Sequence, residues 1–135
     1  MGKKYERFAT AIDTNLIIDF LADKLPQSAA FEMDELIDIE FNTSIIVKIE
    51  VLGFTEDPLE MQKIDDFLTF ANIFYLDDIV ADIAIYLRKT YKKLKLGVAL
   101  IAATALVNDL VIVTRNTKDF QNIAGLEYLN PHELG

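Results

Sequence analysis

Residues 98–113 are the segment that most restricts what this chain can fold into. Residues 98–107 are apolar and rich in alanine, which allows a helix to pack closely against its neighbours. Asn108 and Asp109 end that helix, and residues 110–113 have the length and β-branched content of a buried strand. Polar and acidic residues follow this strand at once. In open α/β sheets such a carboxyl end is the usual place for a functional site.

The rest of the chain alternates between predicted strands and helices. Strands are expected at residues 8–12, 41–43, 73–76 and 126–129, and helices at residues 16–21, 29–37, 45–53, 59–70 and 79–94. This alternation is typical of parallel βαβ units with right-handed crossovers. We therefore expect a single domain over residues 1–135, a three-layer α/β/α sandwich around a central parallel five-stranded sheet.

Side-chain chemistry predicts where several helices begin and what they bury. The expected caps are Thr43 or Ser44, Asp77 or Asp78, and Asp57 followed by Pro58. In the helix at residues 29–37 the spacing places Phe31, Leu36 and Ile37 inward and Glu32, Asp34 and Glu35 outward. The phenylalanines expected in the core are Phe20, Phe31, Phe67, Phe70 and Phe74.

Composition narrows the range of functions. Half of the chain is hydrophobic (52%), which favours a folded core over disorder, and the absence of cysteine excludes disulfides and thiolate chemistry. No apolar run reaches the roughly 20 residues of a membrane-spanning helix. A soluble, cytoplasmic protein is therefore expected. The net charge of −9 argues against broad, nonspecific binding of polyanions.

Three acidic residues stand out by position among the 22 in the chain. Asp13 follows the first predicted strand, Asp119 follows the strand at 110–113, and Glu50 lies in a largely apolar helix. If the three meet at one sheet edge, their charges repel, and a hard cation such as Mg²⁺ or Mn²⁺ relieves that repulsion. Each also has a simpler explanation: Asp13 and Asp119 as caps, Glu50 as a solvated side chain or a partner of Lys48.

Four segments resemble motifs of the PIN-domain family, and within it of the VapC-type toxins of bacterial toxin–antitoxin pairs. Residues 13–19 (DTNLIID) resemble the opening D-T-N motif, and residues 44–50 (SIIVKIE) resemble the second acidic segment. Residues 99–105 (ALIAATA) with residues 113–120 (VTRNTKDF) resemble the closing signature, and residues 125–131 the usual ending. The closing signature, in the right order, is the most specific of these.

The resemblance implies a function as well as a fold. It implies a Mg²⁺- or Mn²⁺-dependent endoribonuclease that cleaves RNA, forms a homodimer and is inhibited by a cognate antitoxin. Carried over to this chain, it makes Asp13, Glu50 and Asp119 the metal-site acids. Asn116 becomes a supporting polar ligand, acting directly or through water.

The chain departs from the family pattern at one position. The family places an aspartate just before the A-x-I-A-A-T-A helix, and here Gly97 and Val98 stand there. Val98 offers no metal ligand. Three interpretations remain open: a degenerate domain, a site with fewer ligands, or replacement by another acid, for which Asp19 is not an obvious choice.

Basic residues suggest where RNA phosphates bind. Arg88, Lys92 and Lys95 recur at spacings of four and three, so they are expected on one helix face. Such a face is either a phosphate-contacting strip or an ordinary solvated surface. Arg115, beside the acids, is expected to contact RNA phosphate or to neutralise the carboxylates.

Two other functions compete with RNA cleavage. The first is a non-catalytic PIN domain that binds RNA or a protein partner, as Val98 suggests. The second is a receiver-like signalling domain with a phosphorylated aspartate. Asp77, at the end of a predicted strand, is the only candidate acceptor for that reaction.

Overall fold

The computed structural model describes residues 9–133, within which five short strands alternate with six helices. Phe8, predicted to begin the first strand, lies outside this range. The strands are β1 Thr10–Ile12, β2 Asn42–Ser44, β3 Asn72–Phe74, β4 Val111–Val113 and β5 Tyr128–Leu129. The helices are α1 Thr14–Leu21, α2 Gln27–Ile39, α3 Ile45–Phe54, α4 Pro58–Leu68, α5 Asp78–Thr90 and α6 Leu96–Asn108.

The strands are all parallel, but they form two hydrogen-bonded ladders. β4 lies between β1 and β5, with Thr10 opposite Val111 and Ile112 opposite Tyr128. β2 pairs only with β3, and Asn42 lies opposite Asn72. The parallel α/β fold is thus confirmed. The expected single sheet of five strands is not, because the main sheet has three.

Side chains of β2 explain the break between the ladders. The Asn42 side-chain amide donates to the carbonyl oxygen of Thr10 at 3.0 Å, and the Thr43 hydroxyl donates to the carbonyl oxygen of Ile12 at 2.7 Å. β2 therefore lies beside β1, but side chains supply the hydrogen bonds that a backbone ladder normally provides. The carboxyl ends of β1 and β2 still lie next to each other.

The core covers both faces of the main sheet. Every residue of β1 and β4 is buried, and successive side chains in a strand point to opposite faces. Both faces must therefore be covered. Alanines of α6 are completely buried, which allows this helix to pack closely against the core.

The predicted helix starts are largely confirmed. Ser44 accepts a hydrogen bond from the Val47 N–H at 3.1 Å, and Asp77 accepts one from the Val80 N–H at 2.9 Å. Asp57 precedes Pro58, the first residue of α4. These side chains satisfy backbone donors that have no partner within the helix.

Two predictions about side-chain and helix placement are wrong. Phe31 and Phe70 are exposed, whereas Glu32 is buried. Helix α5 ends at Thr90 rather than near residue 94. Within residues 9–133, no helix is both long and apolar enough to cross a lipid bilayer.

Candidate active site

Asp13 lies at the centre of the candidate site. It follows β1 directly and forms the N-cap of α1, and its backbone N–H donates to the carbonyl oxygen of Val113 in β4 at 2.9 Å. Its carboxylate accepts two hydrogen bonds of 2.8 Å, one from the Thr14 N–H and one from the Thr114 hydroxyl. The side chain is only 7% exposed. Two strand ends therefore fix both the backbone and the carboxylate of Asp13.

Glu50 reaches the same region from helix α3. Its carboxylate accepts a hydrogen bond of 2.5 Å from the Thr14 hydroxyl. Thr14 thus contacts both acids, because its backbone binds Asp13 and its side chain binds Glu50. The other oxygen of the Glu50 carboxylate lies close to Gly97. A Cβ atom added at position 97 would be only 3.2 Å from that oxygen. Space for the Glu50 carboxylate therefore depends on the missing side chain at position 97.

Asp119 and Asn116 belong to the turn after β4. Asp119 ends a short 3₁₀ helix, Thr117–Asp119, and its side chain is exposed. Asn116 caps this 3₁₀ helix, and its backbone N–H donates to the Thr114 hydroxyl at 2.9 Å. Thr114 consequently connects the Asn116 turn to the Asp13 carboxylate.

The electrostatics of Asp13 indicate that Glu50 and Asp119 act on its carboxylate. Burial is the main cause that raises the pKa of Asp13 above its ordinary value. Hydrogen bonds from Thr114 and Thr14 oppose that rise, while the negative charges of Glu50 and Asp119 add to it. Neighbouring carboxylates therefore disfavour the ionised form of Asp13. A bound cation would favour that form instead.

The donor set has the chemistry of a hard-cation site but not the geometry of a closed cage. Among residues 9–133, no group of three or more acidic or histidine side chains is placed to hold a metal ion. Mg²⁺ often keeps several waters and binds through one or two carboxylates plus substrate phosphates. Asp13 and Glu50, with Asp119 nearby, fit that open kind of site. Whether the three acids share an ion stays a prediction.

Val98 lies at the start of α6, next to Gly97 in the sequence. It is half-buried and lines a cavity together with Asp119 and several lysines. Among the described residues that line this cavity, Asp119 is the only acid, so no other carboxylate there stands in for the acid of the family motif. Asp19 does not replace it, because its carboxylate is paired with the Arg115 guanidinium.

The basic residues are arranged differently from the expected helix face. Lys92 lies after the end of α5, and Lys95 is the residue that precedes α6. Arg88 is in the last turn of α5 and does not line the Val98 cavity. The three cannot share a helix face, because the helix stops at Thr90. Arg115 is paired with Asp19 rather than with Asp13, Glu50 or Asp119.

Sequence reasoning assigned no role to three residues that shape the site: Thr14, Thr114 and Gly97. Thr14 stands next to Asp13 in the D-T-N segment, and Thr114 directly follows the buried strand β4. Those positions are the only sequence signal for the two threonines. The role of Gly97 is visible only once α6 and α3 have been placed together.

Comparisons with known proteins agree with this fold. The family model for the PIN domain matches residues 10–126. A chain of a toxin–antitoxin complex from Klebsiella pneumoniae is 30% identical, with a TM-score of 0.74 over 91% of this chain and 98% of that one. No curated protein sequence gave a significant match.

Two further structures are similar in fold. VapBC2 from Rickettsia felis, bound to a DNA fragment from its promoter, has a TM-score of 0.77 at 22% identity, covering 90% of this chain and 98% of that chain. VapBC-1 from nontypeable Haemophilus influenzae has a TM-score of 0.77 at 23% identity, covering 91% and 98%. The fold is therefore one found in toxin–antitoxin complexes. The chain belongs to the PIN-domain family.

Proposed function

We propose that this chain is a VapC-type toxin that binds a cognate antitoxin and cleaves RNA phosphodiester bonds with a divalent cation. Members of the VapC group are typically metal-dependent ribonucleases, and the structural matches come from toxin–antitoxin complexes. The observation that carries the proposal is the arrangement around Asp13. The negative charges of Glu50 and Asp119 act on its buried carboxylate, and Thr14 binds both Asp13 and Glu50.

Asp13, Glu50 and Asp119 are the residues that would hold Mg²⁺ or Mn²⁺. When bound, such an ion lowers the pKa of its water and stabilises the charge of a phosphodiester undergoing attack. The chain's own contribution is positioning. Thr114 and the Thr14 backbone orient Asp13, the Thr14 hydroxyl orients Glu50, and the Asn116 backbone N–H binds the Thr114 hydroxyl.

The test is cleavage of structured RNA in the presence of Mn²⁺ or Mg²⁺, preceded by calorimetric titration of Mn²⁺. We expect binding and cleavage by the natural chain, and loss of both in Asp13→Asn. The matched control is Asp109→Asn, because Asp109 has a left-handed backbone (φ 57°) that asparagine tolerates and lies at the far end of α6. Cleavage that survives Asp13→Asn unchanged would show that the site is wrongly assigned.

A second function is favoured by Val98 and by the lack of a preformed ligand cluster in residues 9–133. In that case the chain is a PIN domain that binds RNA or a protein without cleaving RNA. Val98→Asp separates the two functions, because it restores the acid of the family motif. Mn²⁺ binding and cleavage that occur only in Val98→Asp would establish the non-catalytic function for the natural chain.

We also propose a cytoplasmic homodimer that exposes a surface for the antitoxin. Many large apolar side chains remain exposed in the described part of the chain, among them Phe31, Phe54, Leu59, Phe70, Ile79 and Tyr86. Where exposed apolar side chains form a contiguous patch, that patch commonly marks a contact with another protein. Light scattering after size-exclusion chromatography measures the dimer directly, and a monomer at micromolar concentration would contradict it.

A further inference from the structure

A lysine-lined cavity lies beside the acidic site. It has a volume of about 260 Å³ and is lined by four lysines, Lys92, Lys93, Lys95 and Lys118. The lining includes one acidic residue, Asp119, so four positive charges face one negative charge. This excess is unusual in a chain with 22 acidic and 13 basic residues. A local positive field in an acidic protein attracts anions to that one place.

The lysines are available for a ligand. In residues 9–133, none of the four ammonium groups makes a hydrogen bond or an ion pair with a protein group. Lys118 and Asp119 are adjacent in sequence, yet no ion pair joins them. Hydrogen bonds and ion pairs from the part of the chain that the structure describes therefore do not neutralise these lysines.

The walls of the cavity are held together by a specific contact. One wall is the segment between α5 and α6, and the other is the turn that follows β4. The Tyr91 hydroxyl, at the first wall, accepts a hydrogen bond of 2.9 Å from the Ala124 N–H at the second. Ile123 is buried next to this contact. The spacing of Lys92–Lys95 and Lys118 is therefore set before a ligand arrives.

Val98 is an apolar residue of the cavity lining, and Asp119 belongs both to this lining and to the acidic site. An aspartate at position 98 would add a second negative charge to the cavity wall. With valine at position 98, Asp119 is the one acidic residue among the described residues that line the cavity. The negative charge of Asp119 also acts on Asp13. An anion in the cavity would therefore lie beside Asp119, one of the three acids of the candidate site.

We propose that this cavity binds a backbone phosphate of single-stranded RNA next to the acidic site, through Lys92, Lys93, Lys95 and Lys118. This inference rests on the proposed function for its choice of RNA, but it concerns binding and not cleavage. Lysines contact phosphate as point charges, and each phosphate they neutralise releases counterions. Binding is therefore expected to weaken as salt concentration rises.

The experiment measures RNA binding apart from cleavage. Fluorescence anisotropy with a short labelled single-stranded RNA is run in EDTA at several salt concentrations, in an Asp13→Asn background. We expect Lys95→Ala and Lys118→Ala each to weaken binding about threefold and the double variant about tenfold. The slope of log affinity against log salt should fall by about 0.7 for each lysine removed.

Matched controls test the location and the geometry. Lys24→Ala removes an exposed lysine that lines a different cavity, between α1 and α4, and should leave affinity unchanged. Lys95→Arg keeps the charge and should retain most of the binding. Tyr91→Phe removes the hydroxyl that joins the two walls and should weaken binding without changing the salt slope.

Three results would overturn the inference. These are unchanged affinity in the Lys95→Ala/Lys118→Ala double variant, an equal loss in Lys24→Ala, and binding of polyglutamate, but not of RNA, that depends on the same lysines. The last result would identify an acidic protein as the partner. Lysine-dependent RNA binding without cleavage by the natural chain would refute only the proposed function. Cleavage without lysine dependence would refute only this inference.

Discussion

The acidic site and the lysine-lined cavity, which share Asp119, differ in charge and in how their side chains are held. On the acidic side, Asp13 is buried and its carboxylate accepts hydrogen bonds from Thr14 and Thr114. On the other, four lysines line an open cavity and have no partner within the described residues. Hydrogen bonds within the protein hold the Asp13 carboxylate, whereas the described residues give the lysines no such partner. The two proposals therefore assign chemistry to the acids and RNA affinity to the lysines.

The largest expected effect separates these two roles. Asp13→Asn should lower RNA cleavage by more than about a hundredfold, since the variant loses a charged ligand at the reacting phosphate. RNA affinity in EDTA should stay the same or rise, because a negative charge is removed. Cleavage assays and anisotropy on the same preparation measure both. Parallel losses of cleavage and of affinity would show that the two sides do not have separate roles.

Val98→Asp should strengthen metal binding at the acidic side and weaken RNA binding at the lysines. The new carboxylate, next to Asp119, should strengthen Mn²⁺ binding about tenfold by supplying another oxygen ligand. It should weaken RNA binding in EDTA several-fold, since it adds a negative charge to the lysine-lined cavity. Calorimetry and anisotropy report the two effects, and Val98→Asn is the uncharged control. Stronger RNA binding in Val98→Asp would contradict the electrostatic explanation.

Gly97→Ala should disturb only the acidic side. Alanine is favoured over glycine in a helix by about 0.5–1 kcal/mol, so the fold should not lose stability. The new Cβ would lie 3.2 Å from a Glu50 carboxylate oxygen, and the exposed Glu50 side chain must shift to accommodate it. We expect cleavage to fall several-fold with RNA affinity in EDTA unchanged. Gly53→Ala, where the added methyl meets no neighbour, is the control.

The smallest effect concerns stability and pH. Because the pKa of Asp13 is raised in the folded protein, the unfolded chain loses this proton first as pH rises, and the native state becomes relatively less stable. The loss begins near the unfolded value of 3.8 and is complete above the folded pKa. Without metal, Asp13→Asn should therefore match the natural chain in Tm at low pH and exceed it at neutral pH. Thermal unfolding in EDTA across this range measures the difference, and a constant difference would refute the assignment.

Local sequence signals predicted much of the fold. The caps Ser44 and Asp77 satisfy donors three residues away, and the apolar run at β4 needs only its own composition to be recognised as buried. The exposure of Phe31 could not be predicted in the same way. A helix's hydrophobic pattern shows which residues can be buried, but the neighbouring elements decide which face is covered. Glu32 is buried for the same reason, although its charge predicts exposure.

By itself, the sequence determined the parallel α/β fold and the PIN-domain motifs, and it singled out the three acids as candidates, since these depend on residue type and on short spacings. Only the tertiary structure decided that Thr14 contacts Glu50, 36 residues away, and that Thr114 contacts Asp13, 101 residues away. It also divided the strands into two ladders and brought Lys118 to the same cavity as Lys92–Lys95. The physical reason is that hydrogen bonds and charge interactions act over a few ångströms in space, and packing alone sets which distant residues come that close.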